Sequence, residues 1–403
     1  MSSTWSWLGS SSKRIGCMRP AARKAGQGRS AETWTQDVCT GAGILSGMYT
    51  GRTGRSRSVR PADSTPLPQM RTAMKKAQYE QRGPVPQDVI QAVEFQTPPL
   101  AAGQVLIEVL ASPINPSDVL TLTGEYGLLP PLPAVGGNEG VGRIAEVGPE
   151  VTNLKPGQTV LLPIQGGAWA THMVAPAKHL IALPDGADPK QLAMITINPP
   201  TALLMLSDIV ELQPGDWVIQ NAANSAVGTY LIQLAKLRGL RTINVVRRES
   251  AVEAVRAAGA DVVLVDGEDL GKRAREAANK APIKLGIDAV GGLATQHIAQ
   301  SLAEGGVVVN YGAMSGEACQ ISPASFVFRD VSLRGFWLSR WFQTATPARR
   351  AEVFGEVTKL IATGKLQARV QATYGLDQIK EAVTAAAAGE RDGKILVLPN
   401  GPV

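Results

Sequence analysis

The stretch "WVIQNAANSAVGTYLIQLAKLRGLRTINVVRRES", Trp217 to Ser250, contains the clearest sequence of strand and helix patterns in the chain. It begins with a short apolar run typical of a buried strand, passes through a turn of small residues into a helical pattern, and ends in a second strand rich in Val and Ile. A strand, turn, helix and strand in this order form the layout of a nucleotide-binding βαβ unit. The stretch therefore predicts a parallel sheet that continues into the neighbouring sequence.

The turn of this unit departs from the G-x-G-x-x-G pattern of dinucleotide-binding folds. It reads "NAANSAVG", residues 221–228, and keeps one glycine, Gly228. Its small residues still let the backbone approach a pyrophosphate at the helix N-terminus, where amide groups and the helix dipole favour an anion. A purely structural turn would also suit this sequence, so the motif alone does not establish a nucleotide site.

The second strand ends in Arg247 and Arg248, and Glu249 follows them. Sites specific for NAD place an acidic residue near this point to bind the ribose diol, whereas NADP sites use arginine for the 2′-phosphate. We interpret the arginine pair as an NADP signal. The alternative is a solvated pair of surface charges.

Strand and helix patterns continue to alternate up to residue 340. Val- and Ile-rich segments such as "DVVLVD" and "VVVNYGA" are separated by helical patterns such as "ATQHIAQSLAEGG". Buried parallel strands separated by helices form a doubly wound α/β sheet, which we place at residues 201–340. Residues 73–200 instead contain short strands between Gly and Pro turns, a pattern that predicts a compact β-rich domain. Residues 341–403 are predicted to complete that domain, which leaves a ligand-binding cleft at the carboxyl ends of the parallel strands.

The composition is that of an ordinary globular protein, with 403 residues of which 44% are hydrophobic and 18% are charged. The formal net charge of +6 comes from residues 1–72, which carry eleven Lys and Arg against three Asp and Glu, and leave 29 basic against 31 acidic residues in the remainder. A nucleic-acid binder needs its positive charge on the folded surface. The most apolar stretch, 192–210, is interrupted by Asn198-Pro199-Pro200 and by Asp208, so it cannot span a membrane. We expect neither a nucleic-acid partner nor a membrane span.

Residues 1–72 are rich in Ser, Arg, Gly and Thr and show no sustained period, which predicts a disordered or removable tail. They could be an organelle transit segment, a flexible appendage, or translation upstream of a true start at Met70 or Met74. The body contains a single cysteine, Cys319, which excludes a disulfide framework there and suits a reducing compartment. We expect a cytoplasmic protein, or a mitochondrial matrix protein if the tail is a transit segment.

Four segments together carry a specific resemblance. They read "ASPINPSDVLTLTGEYGLLPPLPAVGGNEGVGRIAEVG", "LQPGDWVIQNAANSAVG", "LRTINVVR" and "LRGFWLSRW". Over about residues 73–398 the chain resembles the trans-2-enoyl thioester reductases of the mitochondrial fatty-acid-synthesis type, within the medium-chain dehydrogenase/reductase superfamily. The resemblance implies a GroES-like catalytic domain, a Rossmann nucleotide-binding domain and a homodimer.

The metal site of the zinc-dependent members is changed in this chain. Those alcohol dehydrogenases bind zinc through a Cys and a His, in two segments where this chain carries Asn115 and Asn138. Neutral amides do not replace thiolate and imidazole as Zn²⁺ ligands. The three histidines, His172, His179 and His297, are scattered and are expected at the surface or in packing. We predict that the protein holds no metal.

The resemblance assigns catalysis to Tyr126, in the segment "GEYGLLP". It implies that NADPH delivers hydride to Cβ of an enoyl thioester, carried on CoA or an acyl-carrier protein, and that the phenol gives Cα a proton directly or through a water. From the residues alone, Tyr126 could instead be an ordinary half-buried aromatic. Two other functions stay open, namely a zinc-free quinone or alkenal reductase and a non-catalytic nucleotide-binding member.

The resemblance also implies which residues contact NADPH. Two departures affect them, because Ala226 stands where these reductases usually carry glycine and Glu249 brings a negative charge next to the phosphate site. The implied contacts are Asn198, Asn224, Ser225, Ala226, Val227, Arg247, Arg248, Glu249, Tyr311, Gly312, Ala313, Met314, Phe336, Trp337, Leu338 and Lys394.

Overall fold

Short strands and short helices occupy the first part of the chain, where Gly and Pro turns separate the apolar runs. The computed structural model describes residues 73–389 and 391–403, so the predicted disordered tail, 1–72, lies outside the described residues. The elements in this part are β1 (Met74–Tyr79), α1 (Pro86–Val89), β2 (Ile90–Phe95), β3 (Gln104–Pro113), α2 (Pro116–Thr123), β4 (Ala134–Val135), β5 (Val141–Val147), β6 (Thr159–Leu161), β7 (His172–Pro176), β8 (Ile181–Ala182), α3 (Pro189–Leu192) and α4 (Asn198–Ser207).

The middle of the chain forms the predicted doubly wound sheet. Its six strands are all parallel and follow the order β11-β10-β9-β12-β13-β14. Strand order reverses between β9 and β12, which is the point where open α/β sheets bind ligands. The elements are β9 (Trp217–Gln220), α5 (Ala226–Leu237), β10 (Arg241–Val246), α6 (Val252–Ala257), β11 (Val262–Val265), α7 (Leu270–Ala277), β12 (Ile283–Asp288), α8 (Gly292–Ser301), β13 (Val307–Asn310), α9 (Pro323–Phe326), β14 (Ser332–Gly335) and α10 (Leu338–Thr344).

The last part of the chain returns to the first sheet. It contains α11 (Pro347–Ala362), β15 (Val370–Tyr374), α12 (Ile379–Ala387) and β16 (Lys394–Val397). Strand β16 pairs with the end of β3, in a sheet ordered β15-β16-β3-β5-β6-β8 to which β7 is added through β3. Strands β2, β1 and β4 form a separate antiparallel sheet. The predicted α/β fold class, with a GroES-like and a Rossmann part, is confirmed.

Helix α4 connects the two large sheets through the main hydrophobic core. Nine of its ten residues are buried, as expected for a helix that is apolar on all sides. The same core cluster contains Val141 of β5, Val218 of β9 and Leu396 of β16. None of the described helices is both long and apolar enough to cross a membrane. The division into domains at 73–200 with 341–403, and at 201–340, remains a prediction.

Candidate active site

One buried carboxylate organises the carboxyl edge of the parallel sheet. Asp288, which ends β12, accepts hydrogen bonds from Nδ2 of Asn221 at 2.6 Å, Nδ2 of Asn310 at 2.9 Å and Oγ1 of Thr295 at 2.7 Å. Asn221 follows β9 and Asn310 ends β13, so Asp288 ties three neighbouring strand ends together. This group was not predicted from the sequence, although a polar residue directly at the end of each strand is a visible signal.

The turn from β9 into α5 is compact enough to accept a pyrophosphate. Ser225 is the N-cap of α5, and its Oγ accepts a hydrogen bond from the backbone N–H of Gly228 at 3.1 Å. A Cβ added at Gly228 would lie 2.6 Å from the carbonyl oxygen of Ala223, so the helix can approach the turn this closely only with glycine. Ala226 and Val227 form the first helical turn, where backbone N–H groups point out of the helix end. These residues fit an anionic dinucleotide.

Arg247, Arg248 and Glu249 follow directly after β10. Arg247 and Glu249 are exposed and Arg248 is half-buried. Because β10 pairs in parallel with β9, their ends reach the same edge of the sheet. The arginines therefore lie at the edge that carries the nucleotide turn, where a 2′-phosphate would need them.

The loops after β13 and β14 reach this edge as well. In the first loop, Tyr311 is half-buried, its hydroxyl has Ser225 as a hydrogen-bond partner, and burial raises the pKa of the phenol. The loop continues through Gly312 and Ala313 to Met314, which is 63% exposed. The second loop, 336–338, begins with a hydrogen bond of 2.8 Å from its first backbone N–H to the carbonyl of residue 310. The structure thus brings together the turn at 224–227 and both predicted loops.

Tyr126 lies just beyond the end of α2 and contacts the loop after β14. The helix ends at Gly124 with φ of +88°, and the backbone N–H groups of residues 125 and 126 both donate to the carbonyl of Leu120, at 2.9 and 3.1 Å. The Tyr126 hydroxyl oxygen accepts a hydrogen bond of 3.1 Å from Nε1 of Trp337, and the two rings meet edge to face. Because an indole N–H only donates, the phenol proton remains available to another acceptor.

Asn115 and Asn138, at the two former metal-ligand positions, are held by hydrogen bonds. Asp118 joins them, since Oδ2 accepts from the N–H of Asn115 at 2.7 Å and Oδ1 accepts from the N–H of Asn138 at 2.9 Å. Nδ2 of Asn138 lies 3.4 Å from Oγ of Ser117. Within the described residues, no group of three or more His, Cys, Asp or Glu is placed to hold a metal ion.

The side chain of Asn115 connects three other buried groups. Its Nδ2 donates to Oε1 of Glu139 at 2.7 Å, and its Oδ1 accepts from Nδ2 of Asn198 at 2.9 Å and from Nζ of Lys394 at 2.5 Å. Asn198 is the first residue of α4 and Lys394 the first of β16. Asn198 and Lys394, both predicted cofactor contacts, therefore meet at Asn115. From the sequence, Asn115 was noted only because it stands where the zinc-dependent relatives carry a zinc ligand.

Burial controls the charges of this cluster. Burial raises the pKa of Glu139 to about 7 and that of Asp118 to about 6, while the positive charge of Lys394 acts against both shifts. Burial also lowers the pKa of Lys394 to about 8, and the negative charge of Glu139 opposes this. The ammonium of Lys394 therefore favours the charged forms of both carboxylates, and the carboxylates favour the charged form of Lys394.

The three histidines lie on separate elements. His172 is in β7 and His179 ends a short 3₁₀ turn. His297, on α8, places Nδ1 at 2.7 Å from Oδ1 of Asp266. Neither the segment around Tyr126 nor the loop that carries Trp337 contains a histidine. No histidine therefore accompanies the Tyr126 phenol in these two segments.

Two family models match the chain. The alcohol dehydrogenase GroES-like domain matches residues 101–185, and the zinc-binding dehydrogenase model matches residues 226–386. The mitochondrial enoyl-[acyl-carrier-protein] reductase of Rattus norvegicus is 38% identical over 307 residues, which are 75% of this chain and 82% of that protein. The chain belongs to the mitochondrial-type enoyl thioester reductase family of the medium-chain dehydrogenase/reductase superfamily.

Solved structures of this reductase family share the fold. The Etr1p/NADP/crotonyl-CoA complex superposes with a TM-score of 0.74 at 28% identity, over 81% of this chain and all of that chain. The mitochondrial 2-enoyl thioester reductase Etr1p/Etr2p heterodimer from Candida tropicalis gives the same TM-score, identity and coverage. A putative NADPH:quinone reductase from Bacillus thuringiensis also reaches 0.74, at 30% identity over 81% of this chain and 99% of that chain.

Proposed function

We propose that the protein reduces trans-2-enoyl thioesters with NADPH, and that Tyr126 donates the proton to Cα. The observation that carries this proposal is the hydrogen bond from Trp337 to the Tyr126 hydroxyl, because Trp337 follows β14 of the same parallel sheet whose strand β9 leads into the turn at 221–228. The family relatives are named as enoyl-[acyl-carrier-protein] reductases, and a similar structure contains NADP and crotonyl-CoA.

The chain's own residues then have distinct tasks. NADPH, when bound, supplies the hydride that reaches Cβ of the substrate. Ser225, Ala226 and Val227 offer the helix N-terminus to the pyrophosphate. Arg247 offers a fixed positive charge for the 2′-phosphate. Tyr126 protonates Cα as a general acid, and the indole of its partner keeps the hydroxyl in place while the proton leaves.

A zinc-free quinone reductase is the second candidate, because the Bacillus thuringiensis structure is as similar in fold as the thioester reductases are. Hydride transfer to a quinone ends on oxygen, which solvent can protonate without help from a positioned acid. The phenol at Tyr126 is therefore expected to matter for a thioester and much less for a quinone. A non-catalytic nucleotide-binding member would need the same dinucleotide positions, but it would not need the phenol of Tyr126.

We further propose a role in fatty-acid metabolism inside mitochondria. The named relatives are mitochondrial enzymes, which favours the mitochondrial matrix over the cytoplasm. The Arg-rich, acid-poor composition of residues 1–72 is compatible with a transit segment. The acyl group is carried on CoA or an acyl-carrier protein.

NADPH oxidation separates these functions when it is followed with crotonyl-CoA, with a quinone and without acceptor. We expect turnover with crotonyl-CoA that exceeds turnover with the quinone, and little oxidation without acceptor. NADH in place of NADPH should react more slowly at the same concentration. Faster turnover with the quinone would favour the second candidate, and no turnover with either acceptor would favour a binding protein.

A further inference from the structure

The ammonium group of Lys394 lies inside the protein. The residue is 5% exposed, and its Nζ donates to the carbonyl of Ile114 at 3.1 Å and to Oδ1 of Asn115 at 2.5 Å. A buried ammonium is unfavourable unless it is hydrogen-bonded and close to negative charge. Glu139 and Asp118 supply that charge. Lys394 is therefore fixed on Asn115 before any ligand binds.

The amide of Asn115 has one favourable orientation between its charged neighbours. An ammonium group only donates hydrogen bonds, and an ionised carboxylate only accepts them. Asn115 must therefore turn Oδ1 toward Lys394 and Nδ2 toward Glu139, which agrees with the bonds of 2.5 and 2.7 Å. The reversed amide would set N–H groups against the ammonium. The two charges thus decide which side of the amide carries the oxygen and which the nitrogen.

The orientation of the Asn115 amide also fixes the orientation of the Asn198 amide. Because Oδ1 of Asn115 is an acceptor, Asn198 must present its Nδ2 to that atom, at 2.9 Å, and its own Oδ1 lies on the other side of the amide. The backbone before Asn198 is fixed by the same group, since Oε2 of Glu139 accepts from the N–H groups of residues 196 and 197 at 3.0 Å each. We name Lys394, Asn115 and Glu139 the orienting triad.

Asn198 is connected to the reacting end of the cleft. Its partner Asn115 is the N-cap of α2, and the other end of α2 leads directly to Tyr126. An eight-residue helix is about 12 Å long. The residues suited to the adenosine phosphate, Arg247 and Arg248, follow β10 instead. The triad is therefore joined to the element that carries Tyr126 and not to the end of β10 that carries the arginines.

We propose that Lys394 is a positioning residue that acts through Asn115 to turn Oδ1 of Asn198 toward the nicotinamide half of NADPH. This inference rests on the proposed function. An amide oxygen accepts hydrogen bonds, so the cofactor group that meets Asn198 is a donor, either the carboxamide N–H or a ribose hydroxyl. A phosphate oxygen does not fit that position.

The test compares two probes on the full chain by calorimetry. Lys394→Met keeps most of the side-chain stem and removes the ammonium group. We expect NADPH to bind about tenfold more weakly, the size of one lost hydrogen bond. The second probe, adenosine 2′,5′-bisphosphate, has the phosphorylated adenosine but no nicotinamide half, and its affinity should not change. A merely structural role for Lys394 would not separate the two probes.

A double-mutant cycle tests whether Lys394 acts through Asn198. In an Asn198→Ala background, Lys394→Met should weaken NADPH binding no further, because the atom to be oriented is already gone. If the two effects add fully, Lys394 contacts the cofactor by itself and the inference is wrong. Equal weakening of both probes by Lys394→Met would also overturn it.

A charge-balanced variant keeps the test decisive if Lys394→Met does not fold. The double substitution Lys394→Met with Glu139→Gln removes one charge of each sign, so the net charge of the buried cluster stays the same. It should show the same selective loss of NADPH binding. Failure of the proposed function is distinguishable, because it shows as absent turnover of crotonyl-CoA by the unmodified chain, whereas failure of this inference shows in how the variants bind the two probes. An unmodified chain that binds neither probe would overturn both proposals.

Discussion

At the residue scale, Tyr126 is the side chain whose single oxygen decides the proposed chemistry. Tyr126→Phe removes that oxygen and keeps the ring against Trp337. General acid catalysis contributes about 10²–10⁴ in rate, so we expect kcat with crotonyl-CoA to fall by that factor. The melting temperature and NADPH affinity should stay close to those of the unmodified protein.

Tyr374→Phe is the matched control for this change, since Tyr374 is a half-buried tyrosine of β15. It should leave kcat unchanged. If kcat of Tyr126→Phe stays within about threefold, another group supplies the proton, because a full general-acid contribution would cost more. Candidate sources are water and the hydroxyls of Ser117 and Thr201.

Arg247 carries the positive charge that we assign to the 2′-phosphate of NADPH. A hydrogen bond to a charged group contributes about 1.5–3 kcal/mol, so Arg247→Ala should weaken NADPH binding by roughly tenfold to a hundredfold and leave NADH binding nearly unchanged. Arg248→Ala should act in the same direction. Arg256→Ala, at an exposed position of α6, is the control. Equal affinity of the unmodified chain for both cofactors would contradict the assignment.

Glu139 predicts a pH dependence of stability. Its pKa is raised by burial from the ordinary 4.5 to about 7, so the folded chain holds this proton more tightly than the unfolded chain. The corresponding stabilisation is present below pH 4.5 and is lost as the pH rises through 7. Glu139→Gln cannot titrate, so its free energy of unfolding should improve relative to the unmodified chain between pH 5 and 7. Urea unfolding at several pH values measures this difference, and a flat difference would contradict it.

At the element scale, Gly228 decides how α5 meets the nucleotide turn. Gly228→Ala puts a Cβ against backbone atoms of Ala223 at 2.6 to 2.8 Å, which forces the helix away from the turn. We expect a loss of about 1–3 kcal/mol in the free energy of unfolding together with weaker NADPH binding. Gly355→Ala in the exposed part of α11 meets no atom within 4 Å and should instead stabilise the protein by roughly 0.5–1 kcal/mol. Effects of the same sign would contradict this contrast.

The elements also explain which parts of the fold the sequence predicts. The apolar residues of helix α5 and of the strands around it recur at regular spacing and are buried, so the sequence pattern is sufficient to predict these elements. Helix α7 has a weaker apolar pattern, because its charged sequence buries only a narrow stripe, Leu270, Gly271 and Ala274. Helix α2 was missed because "PSDVLTLT" is rich in residues that favour strands, whereas the Asp118 carboxylate accepts from the backbone N–H of Asn115 and stabilises the start of a helix there.

Some residues of the candidate site are also predictable from the sequence, whereas the contacts of others are not. Tyr126 and the arginines after β10 belong to local motifs, so resemblance identifies them from a short segment. The hydrogen bond between Lys394 and Asn115 joins residues 279 positions apart. No local pattern encodes such a pair, because it forms only when β16 returns to β3. Sequence reasoning therefore named Lys394 as a cofactor contact without finding the amide that it holds.

At the scale of the whole molecule, the parallel sheet ends in an exposed edge strand. All four residues of β14 are exposed, and its outer side has no partner strand among the described residues. Just before it, Phe326, Val327 and Phe328 are 54%, 68% and 79% exposed. An open strand edge beside an apolar patch favours association with another chain. Two copies related by a two-fold axis would cover both features with the same surface on each.

We therefore expect a homodimer that forms through β14 and residues 326–328. Sedimentation equilibrium should give twice the chain mass at micromolar concentration, and Phe328→Glu should shift it to the monomer because an unpaired charge would be buried in the interface. Leu237→Glu is the matched control, since Leu237 is 50% exposed on α5, and it should leave the dimer intact. A monomeric unmodified chain, or a dimer unaffected by Phe328→Glu, would place the association elsewhere or exclude it. Because Trp337 follows β14 by two residues, the monomeric variant should also show reduced kcat, as the loop that holds the Tyr126 hydroxyl loses its support.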